Sequence, residues 1–125
     1  MKVLVVDDNR PVLATTVMFL QSHKLDATGA DSAEEALSIY GNDSFDVVVT
    51  DYSMPGKDGF ELAAQLLGYA QDHASPPGLI LITGLELSPQ DVLKARELFD
   101  EILIKPFRLE TLASAIVAAN RRADQ

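Results

Sequence analysis

The chain has 125 residues, no cysteine and two histidines, with 19 acidic against 10 basic side chains and a formal charge of -9. That length suits one domain, residues 1–125, which needs no disulfide staples; a thiolate metal site is excluded, and a zinc site on the distant His23 and His73 is not expected. The acidic balance repels phosphate backbones, and neither a span of about 20 apolar residues nor a signal region is present, so the expectation is a cytoplasmic protein with no direct nucleic-acid or membrane contact.

Residues 2 to 6, Lys2-Val3-Leu4-Val5-Val6, form a short apolar run that stops at Asp7-Asp8 and predicts a first strand. Pro11 then opens a helix whose Leu13, Thr16, Val17 and Leu20 fall on one face. Lys24 to Thr28 is weakly patterned and predicts an edge strand with its charges toward water. Asp31 or Ser32 caps a second helix, with Glu34 or Glu35 placed for a capping box and Ala33, Ala36, Leu37 and Tyr40 on its core face. Gly41-Asn42-Asp43-Ser44 ends it. Val47-Val48-Val49-Thr50-Asp51 is a β-branched run bounded by turn formers, the pattern of a strand buried on both faces.

A third helix is expected from about Phe60 to Asp72, started through Gly59 and stopped by Ser75-Pro76-Pro77-Gly78. Residues 79 to 83 give the fourth strand, ending at Thr83-Gly84. Ser88-Pro89 begins a fourth helix with Val92, Ala95 and Phe99 inward, because a hydroxyl cap followed by proline is a strong start. Residues 102 to 104 form the fifth strand, which ends at Lys105-Pro106. A last helix places Leu109, Leu112, Ala113, Ile116 and Val117 on the core and frays after Arg122.

Alternating strands and helices predict an α/β fold, a five-stranded parallel sheet with helices on both faces. The charged second strand belongs at an edge and the apolar strands inside, which fits the flavodoxin-like order 2-1-3-4-5. In that order the carboxyl ends of strands one and three are neighbours. Asp7, Asp8 and Asp51 converge there, and Thr83 and Lys105 approach from strands four and five. Crowded carboxylates repel one another unless a cation lies among them, and an all-oxygen pocket suits a hard ion such as Mg²⁺. An adjacent ammonium and a hydroxyl can receive a phosphoryl group, and Asp51 can act as a nucleophile that forms an acyl-phosphate.

The ordered set Asp7-Asp8, Asp51 with Met54-Pro55 and Gly59, Thr83-Gly84 and Lys105-Pro106-Phe107 resembles the receiver domain of two-component response regulators over essentially the whole chain. The resemblance implies that Asp51 accepts a phosphoryl group from a histidine kinase or a histidine phosphotransfer domain. Asp7, directly or through water, Asp8, Asp51 and the backbone carbonyl of Ser53 would hold Mg²⁺, with Mn²⁺ as a substitute. Thr83 and Lys105 would contact the phosphoryl oxygens, and the Lys105–Pro106 bond would be cis. No turnover substrate beyond the domain's own phosphorylation and dephosphorylation is expected. Output would pass to a partner or to an effector domain outside this chain, and a dimer through the helix 4, strand 5 and helix 5 face is a further implication.

Met54 is expected to pack, Gly59 to allow a tight start to the third helix, and Ser53 and Leu85 to flank the route of attacking water. The chain departs from the family at Ile102, where a Tyr or Phe usually stands three residues before the lysine, and at Leu98-Phe99, which replaces a common Gly-Ala pair. Phe99 is the candidate substitute for the missing ring. A flavodoxin-type electron carrier is disfavoured because Asp7-Asp8-Asn9 would repel a flavin phosphate. A dinucleotide enzyme lacks its glycine loop. An aspartate-based phosphatase would carry a second acid where Ser53 stands. A receiver-like interaction module acting without phosphorylation is the remaining alternative.

Overall fold

The computed structural model describes residues 1–73, 76–84 and 87–123. Among them five strands alternate with five helices: β1 (Lys2–Val6), α1 (Arg10–Ser22), β2 (Asp26–Ala30), α2 (Ala33–Asn42), β3 (Val47–Asp51), α3 (Gly59–His73), β4 (Gly78–Thr83), α4 (Pro89–Leu98), β5 (Glu101–Ile104) and α5 (Leu109–Ala123). The strands form one parallel sheet in the order β2-β1-β3-β4-β5, as expected. No helix among the described residues is long and apolar enough to cross a membrane.

The period of two in the strands divides the core between the two faces of the sheet. Leu4, Val6, Val48, Leu79 and Leu81 pack with residues of α2, α3 and α4, including Ala36, Leu62, Leu66 and Ala95. Val3, Val5, Val47, Val49, Ile80 and Ile82 pack with Leu20 of α1 and with Leu112, Ala115, Ile116 and Ala119 of α5. Every residue of β3 and β4 is buried, which is why these strands read as continuous apolar runs rather than alternating ones.

Caps set most of the helix starts. The Asn9 side chain accepts from the Val12 amide at 3.1 Å, Ser32 from Glu35 at 3.1 Å, Asp58 from Glu61 at 2.9 Å and Ser88 from Asp91 at 3.1 Å. The Glu35 carboxylate in turn accepts from the Asp31 amide at 3.3 Å, so Ser32 is the cap and Glu35 its partner.

Two expectations need correction. The second strand runs over Asp26–Ala30 rather than 24 to 28, because Lys24 adopts φ 65 and the Leu25 amide donates to the Leu20 carbonyl, carrying the end of α1 further along the chain. It is nevertheless the edge strand. In α5, Val117 is 38% exposed, while Ala115 and Ala119 are buried in its place. The stop expected at residues 75 to 78 includes Ser75, which lies outside the described residues, as does Leu85.

Candidate functional site

Register brings the site together. β1 and β3 pair with Val6 opposite Thr50, so the next residues, Asp7 and Asp51, leave the sheet side by side. β3 and β4 pair Asp51 with Ile82, and β4 and β5 pair Thr83 with Ile104, so Thr83 and Lys105 follow at the same edge. Backbone bonds extend the ladders past the strand ends: the Asp7 amide donates to Ala30 at 3.1 Å, Tyr52 to Ile82 at 2.8 Å and Lys105 to Thr83 at 2.8 Å. The carboxylates are therefore held by sheet geometry and not by free loops.

Asp7, Asp8 and Asp51 each offer a carboxylate oxygen, and these lie within 4.8 Å of one another. Asp7 is buried, Asp51 is 9% exposed and Asp8 is open to solvent. Lys105 Nζ stands 3.2 Å from Asp51 Oδ2 and is the cation ion-paired with this cluster among the described residues. Burial raises the Asp51 carboxyl above the ordinary aspartate range; Lys105 opposes that shift and the charge of Asp7 adds to it. One oxygen of Asp7 accepts from the Asn9 amide at 2.9 Å, tying it to the cap of α1.

An oxygen-only cluster carrying more negative charge than its one lysine offsets can hold a divalent cation. Thr83, 1% exposed, sits at the end of β4, and the Lys105–Pro106 bond is cis. Ser53, two residues beyond Asp51, is exposed. Met54 is buried in the core with α2 and α3, as a packing residue. At Gly59 a Cβ would meet the Asp51 carbonyl oxygen at 2.9 Å, so a side chain there would push on the backbone of the phosphoacceptor candidate itself. His23 caps the end of α1 against the Phe19 ring, away from any role suggested by its type.

Two features were not read from the sequence. Asn9 links Asp7 to α1, and a polar residue just before Arg10-Pro11 was the signal for it. Arg96 lines a cleft between α4 and β5 with Thr83, Gly84, Leu87, Val92, Ile102 and Ile104; no local pattern marks such a hollow, because it depends on how α4 sits against the sheet. Phe99 is buried against Phe60, with ring centroids 6.3 Å apart, and is not among the cleft's lining residues.

The response regulator receiver domain family matches residues 3–117. The chain is 33% identical over 124 residues to the positive alginate biosynthesis regulatory protein of Pseudomonas aeruginosa, covering 97% of this chain and 48% of that protein. It is 32% identical over 126 residues to the virulence sensor protein BvgS of Bordetella bronchiseptica, covering 98% of this chain and 10% of that one. The chain thus spans about half the length of the first relative and a tenth of the second. Among solved structures, the response regulator protein TrrA of Thermotoga maritima in complex with Mg²⁺ and BeF superposes with a TM-score of 0.81 at 27% identity, over 94% of this chain and 97% of that one. With the family matched over nearly the whole sequence and its fold reproduced strand for strand, the chain belongs to the response regulator receiver domain family.

Proposed function

We propose that Asp51 is the phosphoacceptor of a two-component signalling pathway. The observation that carries this reading is the Lys105 ammonium 3.2 Å from Asp51 Oδ2, inside a cluster of three carboxylates at the strand ends. An Asp51 oxygen attacks the phosphorus of a phosphohistidine in line, the P–N bond breaks, and the electron pair leaves on the donor imidazole. Lys105 and the Thr83 hydroxyl receive the phosphoryl oxygens. Asp7, directly or through water, Asp8, Asp51 and the Ser53 carbonyl would hold Mg²⁺, or Mn²⁺ in its place, and the ion would supply charge neutralisation for the transfer. TrrA, a relative in fold and sequence, is described with Mg²⁺ and BeF, which supports the same use of this site. Residues 1–125 act as one receiver domain whose chemistry is its own phosphorylation and dephosphorylation.

The donor is a sensor histidine kinase or a histidine phosphotransfer domain in the cytoplasm; similarity to a sensor protein and to a regulatory protein supports such a pathway. With a charge of -9 the domain makes no direct contact with nucleic acid, so output goes through a partner or an effector domain. A dimer through the α4, β5 and α5 face would use Leu93 and Ile104, both 64% exposed. Ile102 has no ring to swing inward, and Phe99 packs against Phe60, which supports output through movement after Thr83 or through a partner that reads the phosphorylated pocket directly.

Intact mass after treatment with acetyl phosphate tests the assignment. Wild type should gain one phosphoryl group only with Mg²⁺ or Mn²⁺ present, and Asp51→Asn should gain none. Equal modification of both proteins would refute it.

A further inference from the structure

A cleft opens between α4 and β5. Its volume is ≈ 490 Å³, and Leu87, Val92, Ile102 and Ile104 supply apolar walls, with Thr83 and Gly84 also lining it. That size and lining are those of a small-molecule pocket, mostly apolar with few polar groups. Ile102 borders the space without filling it. Among the described residues Arg96 is the one charged lining residue; it is exposed in the last turn of α4, and its guanidinium has neither an ion pair nor a hydrogen bond among those residues. The helix terminus accounts for a cation at this position, but not for an apolar hollow of this volume beside it.

We infer that the cleft binds a small amphipathic monoanion, a carboxylate carried on an aromatic or branched apolar body. The body displaces water from the four aliphatic walls, and the carboxylate takes Arg96 in a fork of two hydrogen bonds. On a chain of net charge -9 the unpaired guanidinium is what admits an anion here, and a neutral body alone would lose that part of the affinity. Thr83 lines this cleft and also follows Ile82, the β4 partner of Asp51, at the strand ends. Because Thr83 is both a wall of the cleft and, in the phosphoacceptor reading, a contact of the phosphoryl group, occupancy and phosphorylation are linked: whatever factor the ligand imposes on phosphorylation, phosphorylation imposes on the ligand's affinity. This linkage rests on the phosphoacceptor reading of Asp51, whereas binding to the unmodified protein does not.

The test is a titration with 2-naphthoate followed by the methyl resonances of Leu87, Val92, Ile102 and Ile104, with 2-naphthalenemethanol as the neutral control. Saturable shifts of these methyls at millimolar probe or below are expected on the unmodified protein. The alcohol, and the acid on Arg96→Gln, should each bind about tenfold more weakly, the usual cost of losing a hydrogen-bonded charge. Ile102→Phe should fill the space and abolish binding while the remaining spectrum stays folded. Arg96→Gln is on the surface and keeps the test valid if that variant does not fold. Shifts that never saturate, shifts confined to Val12 and Leu109 at the α1–α5 groove, or equal binding of acid and alcohol would each overturn the site. The same titration with Mg²⁺ and beryllofluoride should give a changed affinity, and an unchanged one in a protein shown to hold beryllofluoride would overturn the link through Thr83.

Discussion

β3 and β5 deliver their functional residues to the same edge of the sheet, but in opposite surroundings. All of β3 is buried, with neighbours on both sides and helices on both faces, and Asp51 leaves it into a turn fixed by the Tyr52 and Gly59 amides. β5 is the other edge, has no fully buried residue, ends on an exposed Ile104, and borders an open cleft. The contrast separates two jobs. A strand end packed on every side holds its carboxylate in one place, whereas an edge beside an open cleft leaves its residues space to move.

Substitutions along the two strand sets should break or sharpen this contrast. The largest effect is expected in the interior. Leu81→Ala, in the strand between them, removes a fully buried side chain and should cost about 2–5 kcal/mol, while Ile104→Ala should stay within about 0.5 kcal/mol. Urea melts of both variants measure this, and comparable losses would mean that β5 is as firmly packed as its neighbour.

Gly59→Ala should come next, at about 1–3 kcal/mol, because the new Cβ would sit 2.9 Å from the Asp51 carbonyl oxygen and backbone must move. Unlike Leu81→Ala, it should also slow acetyl phosphate labelling at saturating Mg²⁺, since the displaced backbone is that of Asp51, the proposed nucleophile. Unchanged labelling would show that α3 gives way and β3 does not.

A charge substitution is smaller and carries a sign. The Asp51 carboxyl is raised in the folded protein, chiefly by burial, so its neutral form is favoured there. Its contribution to stability is complete below the unfolded aspartate value and is lost as pH rises through the folded one. In metal-free solution at pH 7, Asp51→Asn should therefore be more stable than wild type, and the gain should vanish in acid below the ordinary aspartate range. Thermal melts across pH with a chelator present provide the check; a variant less stable at pH 7 would assign the greater weight to the Lys105 ion pair.

The smallest effect belongs to Asp8. It shares the cluster but is exposed, so water screens most of its repulsion. Asp8→Ala should raise metal-free stability by about 0.5 kcal/mol or less and abolish the stabilisation that Mg²⁺ gives the wild type. Loss of stability without metal would instead point to a structural bond made by Asp8.

The layout of the site was legible because it depends on where apolar runs stop. Strand ends at Asp7, Asp51, Thr83 and Lys105 needed only a sheet order to become neighbours; the charge of the second strand put it at an edge, and the known flavodoxin-like order fitted the rest. What was misread lacked such a mark. Lys24 takes a left-handed conformation without the glycine that would announce it, so β2 was set two residues early. Val117 looked like a core residue by its type. The inward face of α5 is instead Leu112, Ala115, Ile116 and Ala119, at offsets of three, four and seven, with Val117 beside it. At its far end a Cβ on Gly78 would lie 2.8 Å from the Ala119 carbonyl oxygen, so the approach there takes a small residue. Hydropathy ranks side chains by affinity for oil, and close approach selects them by size.

The sheet order has a consequence for synthesis on the ribosome. The sub-sheet β2-β1-β3 and the acids Asp7, Asp8 and Asp51 lie within the first 51 residues of the chain, while Lys105, which pairs with Asp51, comes after four of the five helices. Chains emerge amino end first, at about 5–20 residues per second. For several seconds the nascent protein can therefore assemble the carboxylates with no lysine beside them, and free Mg²⁺ in the surrounding solution is the counter-charge available during that interval.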